Sequence, residues 1–176
     1  DPILLVLPAD HIIKDKDIFL NVVNKAVPYV NKGRIVTFGI TPNRAETGYG
    51  YIQSKNELCD LDLVGEEIVR FIEKPNKQNA EKFLVDRRFT WNSGIFLFKA
   101  KNILKEFSLY CPNIYKFCEQ SLMNQNFDLE FQRLDKKAFS LCEKISFDTA
   151  IMEKTSLGIV LPLNAGWNDI GSWESM

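Results

Sequence analysis

Ile3-Leu4-Leu5-Val6-Leu7-Pro8-Ala9-Asp10-His11 is the stretch on which the fold turns. The apolar run over residues 3–7 lacks the alternation of a half-exposed strand, so it reads as a strand buried on both faces of a parallel sheet. Pro8 stops it. Asp10 and His11 then place a carboxylate and an imidazole just past the carboxyl end of that strand, the edge where open α/β sheets bind ligands. Over residues 15–31, Ile18, Phe19, Val22, Val23, Ala26, Val27 and Val30 recur at helical spacing. Asp15 or Asp17 is the expected N-cap and Gly33 the stop, with Pro28 expected to kink or shorten the helix.

Outward from there, strands are expected over residues 34–40, 51–53, 67–72, 94–98 and 158–163, and a helix over 77–87. Two or three helices lie between 100 and 137, a short capped helix spans 146–154, and 167–173 is a loop. Strands alternating with helices predict an α/β fold with a mixed, mainly parallel sheet flanked by helices. No linker, repeat or low-complexity stretch interrupts residues 1–176, which read as one compact domain. The chain opens on a strand and closes within what resembles the start of a helix at 173–176, so a fragment of a longer polypeptide is expected.

Composition narrows the function classes. Hydrophobic residues make up 45% of the 176-residue chain and charged residues 26%, a globular balance that argues against disorder. The formal net charge of -1, from 22 basic and 23 acidic residues, supports no nucleic-acid partner. No apolar run approaches the ~18–20 residues needed to cross a bilayer, and the N-terminus lacks the basic region of a signal peptide. The cysteines at 59, 111, 118 and 142 form no C-x-x-C pair, and His11 is the single histidine. Reduced thiols of a cytosolic protein are therefore expected, rather than a zinc site or disulfides.

The sequence contains no G-x-x-x-x-G-K-[ST], G-x-G-x-x-G or G-x-S-x-G motif. Its candidate chemistry is spread over several short stretches, each with a plainer structural reading. Asp10 is either a turn residue or a ligand. Asp169, in Asn168-Asp169-Ile170-Gly171-Ser172-Trp173, is a second acid in a loop after a strand, walled by Trp167 and Trp173. Together the two acids suit a hard cation such as Mg²⁺, which takes one or two carboxylates and completes its shell with phosphate and water. Glu73-Lys74 sits at a strand end before Pro75, as a charge pair or as a sugar-hydroxyl acceptor beside a phosphate-binding ammonium. Glu46-Thr47-Gly48-Tyr49-Gly50-Tyr51 is a turn, or glycines lying flush against a ligand. Asn92 precedes a glycine at the mouth of a strand in Trp91-Asn92-Ser93-Gly94-Ile95-Phe96.

The order Leu-Pro-Ala-Asp-His (7–11), Phe-Gly-Ile (38–40), Glu-Thr-Gly-Tyr-Gly-Tyr-Ile (46–52), Phe-Ile-Glu-Lys-Pro (71–75), Trp-Asn-Ser-Gly-Ile-Phe (91–96), Ser-Phe-Asp-Thr-Ala-Ile-Met-Glu-Lys (146–154) and Trp-Asn-Asp-Ile-Gly-Ser-Trp (167–173) resembles the sugar-1-phosphate nucleotidyltransferases. Within them it is most similar to the bacterial mannose-1-phosphate guanylyltransferases, including those fused to a mannose-6-phosphate isomerase. The resemblance runs along the whole chain and implies a Rossmann-like nucleotidyltransferase fold. It also implies that Asp10 and Asp169 hold Mg²⁺, that Glu73 binds sugar hydroxyls and Lys74 the sugar phosphate, and that Gly48 and Asn92 line a mannose pocket. The substrates implied are GTP and mannose 1-phosphate, in a cytoplasmic pathway supplying GDP-mannose for surface polysaccharide. No membrane partner is implied, and a homo-oligomer is left open.

Family members begin with a strand and a glycine-rich loop carrying an arginine and a lysine, which holds the triphosphate. Nothing of this kind precedes Asp1, so these 176 residues alone are expected not to turn over. Phe147 and Thr149 replace a common isoleucine and tyrosine on a helix expected to support the site. Related enzymes with another sugar or base are the near alternative. An isomerase activity belongs to a zinc-dependent C-terminal domain of fused members, whose histidine-rich ligands this segment lacks. A catalytically dead sensor of the same fold would lack the acids and lysine that are present here.

Overall fold

The computed structural model describes residues 1–123 and 126–169, and its backbone groups into two compact units. The first comprises residues 1–102 and 156–176, and the second residues 103–155. The expected loop beyond Asp169, with Gly171 and Trp173, lies outside the described residues.

A six-stranded sheet organises the first unit. In spatial order it runs β1 (Ile3–Val6), β6 (Phe89–Lys99), β3 (Ile35–Ile40), β9 (Gly158–Pro162), β5 (Glu66–Ile72) and β4 (Tyr51–Ser54), with β4 also pairing to β6. The α/β class and the mixed sheet are as expected, but the emphasis on parallel pairing is corrected. Among the described residues only β3–β9 is a parallel pair, and the other five pairings of this sheet are antiparallel. The reason is the placement of β6. It inserts antiparallel between β1 and β3, which themselves run the same way. Alternation of strands and helices along a chain indicates crossovers but not which strand is inserted between which.

β1 carries a second correction. Among the described residues it pairs only with β6, and Ile3 to Val6 are 36–46% exposed rather than buried on both faces. The expected doubly buried strand is instead β3, where Ile35, Val36, Thr37 and Phe38 are fully buried. Helix α1 (Lys16–Asn31) packs there. Its Asp15 N-cap accepts from the Ile18 N–H at 2.9 Å, and the helix continues through Pro28. Phe19, Val22, Ala26 and Val30, one stripe of α1, form a single core with Val36, Phe38, Ile95, Leu97, Ile159 and Leu161.

Helix α2 (Lys77–Val85), capped by Asn76, ends two residues before the expected boundary. Strand β6 starts five residues earlier than expected, so Trp91-Asn92-Ser93-Gly94 lies inside a strand instead of at its mouth. A short ribbon of β2 (His11–Ile13) and β10 (Trp167–Asp169) was also unforeseen, because its halves are far apart in sequence.

In the second unit, α3 (Ala100–Tyr110) enters from the first, followed by α4 (Pro112–Met123) and α5 (Lys136–Ser140). A hairpin of β7 (Asn126–Asp128) and β8 (Phe131–Arg133) separates α4 from α5. The expected helix near 146–154 is a single π-type turn over Asp148–Met152, entered where Ser146 Oγ accepts from the Thr149 N–H at 3.2 Å. All four cysteines are free thiols.

Candidate active site

The candidate residues of the first unit fall into two groups joined by an aromatic layer. The first group is built on the β2–β10 ribbon, whose register sets Asp169 opposite His11, the neighbour of Asp10. Asp169 thus lies opposite His11, while Asp10, 159 positions away in the chain, immediately precedes β2. His11 is held firmly. Its Nδ1 accepts from Trp167 Nε1 at 3.1 Å, its ring meets that indole edge-on, and its Nε2 lies 3.8 Å from Asp10 Oδ1. With Nδ1 an acceptor, the neutral imidazole carries its proton on Nε2, facing Asp10. The Asp10 side chain is 80% exposed and Asp169 is half-buried, with its Oδ1 accepting from the Tyr49 hydroxyl.

The seat for this ribbon comes from β6. Between Thr37–Phe96 and Gly39–Asn92 the register advances two residues on β3 and four on β6, so Ser93-Gly94-Ile95 forms a bulge. Gly94 takes a φ of +70°, left-handed backbone that a side chain would strain. A Cβ there would lie 3.2 Å from Pro8 Cγ, so glycine lets the Pro8–His11 segment approach the bulge.

The second group is Gly50, Glu73, Lys74 and Asn92. Thr37 Oγ1 approaches both Asn92 Oδ1 and the Ile95 carbonyl at 3.0 Å, and the Gly94 N–H also donates to Asn92 Oδ1, at 3.2 Å. These donors fix the plane of the amide. The Asn92 N–H donates to the Gly50 carbonyl at 2.8 Å. A Cβ on Gly50 would meet Glu73 Oε2 at 2.9 Å and Asn92 Cβ at 3.4 Å, so this glycine is what brings carboxylate and amide together. Gly48 is placed differently. It is exposed, and its N–H donates to Glu46 Oε1 at 2.9 Å. Lys74 Nζ lies 3.7 Å from Glu73 Oε1, and its residue has a φ of +46°. Left-handed backbone at a non-glycine residue costs about 1–3 kcal/mol and concentrates at functional sites.

Tyr49 links the groups. Its ring meets Trp91 edge-on at 5.2 Å and Trp167 at 5.5 Å, while the Arg44 guanidinium lies 5.2 Å from the Trp91 ring. Burial, then the Asp169 hydrogen bond and charge, push the Tyr49 phenol up to about 12. Because this folded value exceeds the unfolded one, the associated stability is complete below the unfolded pKa. It is lost as pH rises through about 12. An ultraviolet alkaline titration of wild type minus Tyr49→Phe should therefore isolate one phenol ionising near 12. A difference curve centred on the ordinary tyrosine value would mean that Tyr49 does not hold Asp169.

Sequence reading named both glycines of the 46–51 motif but singled out Gly48 rather than Gly50, and it missed Thr37 and the role of Tyr49. The last lay inside a quoted motif, but its partner is 120 positions away.

A mixed sheet with acids on a ribbon beside it and a glycine-lined acid–amide–lysine group defines a protein class. The chain belongs to the nucleotidyl transferase family, whose model matches residues 1–176. It is 45% identical over 179 residues to a mannose-1-phosphate guanylyltransferase of Salmonella muenchen, with all of this chain covered. It spans 37% of that relative's length. Among solved structures, a mannose-6-phosphate isomerase from Helicobacter pylori superposes with a TM-score of 0.84 at 35% identity, covering 95% of this chain and 64% of that one. A protein described as a mannose-1-phosphate geranyltransferase from Thermus thermophilus gives 0.81 at 28% identity, covering 97% and 47%.

Proposed function

We propose that this chain supplies the sugar-phosphate and metal-binding part of a mannose-1-phosphate guanylyltransferase, which transfers GMP from GTP to mannose 1-phosphate. A phosphate oxygen of the sugar phosphate forms a bond to the α-phosphorus of GTP. The bond from that phosphorus to its bridging oxygen breaks, and pyrophosphate leaves. The nucleophile is already ionised at neutral pH, so no general base is needed, and the difficulty is to bring two polyanions together.

The convergence of Glu73 and Asn92 on Gly50 carries the reading. Glu73 accepts from sugar hydroxyls, Asn92 and Gly50 shape the floor with Gly48 at the outer turn, and the exposed Lys74 ammonium meets the sugar phosphate. The names of the full-length relatives support the choice of sugar and base. Isomerase chemistry is not proposed for these residues, since the single histidine is committed to Trp167.

The donor set near the ribbon fits Mg²⁺. Asp169, and Asp10 just before the strand that pairs with it, offer hard oxygen donors, and among the described residues no group of three or more His, Cys, Asp or Glu is placed to hold a metal by itself. Asp10 and Asp169 would hold the ion, which would supply positive charge against that of the phosphates. Tyr49 keeps the Asp169 carboxylate in place through its hydroxyl.

The test is pyrophosphate release by the full-length protein with mannose 1-phosphate, Mg²⁺ and each of the four nucleoside triphosphates. Release preferring GTP, and lost in Asp10→Ala, is expected; no release with any triphosphate would overturn the reading. Gly50→Ala pushes Glu73 aside and should raise KM for mannose 1-phosphate by about tenfold, the cost of one lost hydrogen bond. KM for GTP should stay unchanged in that variant. A shift confined to GTP would move Gly50 out of the sugar pocket.

A further inference from the structure

A pocket of about 290 Å³ lies on the other face of the sheet from the Glu73–Asn92 group. Trp91 and Asn92 are successive residues of β6, paired regularly with Ile40 and Gly39, so their side chains leave on opposite faces. Tyr51 is opposite Trp91, and Ile72 opposite Tyr51. The residues flanking them, Gly50 and Glu73, therefore fall on the Asn92 face, where the Gly50 contacts place them. The pocket is lined by Ile40 and Trp91, and so opens on the opposite side.

Its walls are the rings of Tyr49, Trp91 and Trp167, and its two cations are Lys14 and Arg44. Lys14 is set in place by backbone. Its N–H donates to the Ala165 carbonyl at 3.1 Å, and its stem crosses Gly166, where a Cβ would come within 2.9 Å of Lys14 Cβ. Among the described residues no carboxylate pairs with the Lys14 ammonium. Arg44 spends Nε on Glu46 at 3.1 Å and lays its guanidinium over the Trp91 ring. Trp91 is 4% exposed, and its buried Nε1 has no hydrogen-bond partner among the described residues.

We propose that this pocket binds a small phosphate monoester through Lys14 and Arg44, and that its occupancy is transmitted to Asp169 through Tyr49. The Lys14 ammonium and the guanidinium nitrogens that Arg44 does not spend on Glu46 offer charged donors to a phosphate. The flat aromatic walls suit a short carbon skeleton attached to it. The volume stands at the bottom of the range of about 300–1,000 Å³ common for small-molecule sites and suits a small ligand. Tyr49 faces the pocket with its ring and holds Asp169 with its hydroxyl, so a ligand that shifts the ring shifts the carboxylate. The binding half stands on geometry alone, whereas the coupling half rests on Asp169 acting in the proposed transfer.

Calorimetric titration of the full-length protein with glycerol 3-phosphate, and separately with inorganic phosphate, tests the binding half at fixed ionic strength. Wild type and Lys74→Met should bind the monoester alike, and Lys14→Met should bind it about tenfold or more weakly, the loss of one charge-assisted contact. Binding lost in Lys74→Met but kept in Lys14→Met would assign the anion to the sugar face and overturn the proposal. Equal affinity for inorganic phosphate would overturn the monoester. Should Lys14→Met melt early, Arg44→Gln serves in its place. The indole N–H signals of Trp91 and Trp167 should move on adding monoester to wild type and stay still in the variant. These readouts need no turnover, so they stand whether or not guanylyl transfer is found. For the coupling half, saturating monoester should change KM for Mg²⁺ in wild type but not in Tyr49→Phe; equal responses would overturn the link.

Discussion

Asp169→Asn in the full-length protein lowers kcat for pyrophosphate release by about 10²–10³-fold, the scale on which removal of one preorganised charge-stabilising group acts. The substitution is chosen for what it keeps. Asparagine retains an oxygen that accepts from the Tyr49 hydroxyl, and β10 keeps its backbone register with β2. What is lost is the negative charge. If the two carboxylates hold one ion as proposed, with one neutralised the KM for Mg²⁺ should rise and excess Mg²⁺ should recover part of the rate. Asp169→Ala is expected to lose activity as severely and stability in addition, because it leaves a half-buried phenol without its acceptor, a penalty of about 1–3 kcal/mol. The outcome that removes Asp169 from the site is an Asn variant with wild-type kcat and an unchanged Mg²⁺ requirement.

Phe38→Ala destabilises the first unit by about 3–5 kcal/mol, the usual cost of deleting a fully enclosed aromatic ring. Phe38 is 0% exposed at the middle of β3, the strand flanked on both sides by β6 and β9. Its ring meets Phe19 of α1 edge-on at 6.4 Å, within the core that joins helix to sheet. Helix and neighbouring strands hold the walls of the resulting cavity, so it cannot easily collapse. The measurement is the urea midpoint of the unfolding transition that reports on this unit, with the slope unchanged. A loss below about 1 kcal/mol, the level of a surface substitution, would mean that α1 does not seat on β3 as described.

The residues by themselves determined a great deal here. The spacing of Phe19, Val22, Ala26 and Val30 and the Asp15 cap specify α1, because helical periodicity and capping are local properties of the chain. The β-branched and aromatic residues of 35–40 specify a strand there. The ordered motifs identified the family without any knowledge of contacts, and its model matches the entire chain. Asp10, Glu73, Lys74, Asn92 and Asp169 stood out as candidates only in combination, since each alone also has a structural use as a turn, cap or charge-pair residue.

Only the tertiary structure decided the rest, for reasons of distance along the chain. The run at residues 3–7 looks as buried as the one at 35–40, yet among the described residues the first pairs with one strand and the second with two. Hydrophobicity states that a strand is able to be covered; topology states whether it is. The antiparallel insertion of β6 is likewise invisible to local pattern, since strand order is a matter of which loops close. Within one motif, Gly48 and Gly50 differ by two positions and are equivalent as letters. Pleat and register set Gly50 between Glu73 and Asn92 and leave Gly48 against Glu46. The hydrogen bond from Tyr49 to Asp169 and the pairing of Lys14 with Arg44 in one pocket join residues that only the folded sheet brings within reach.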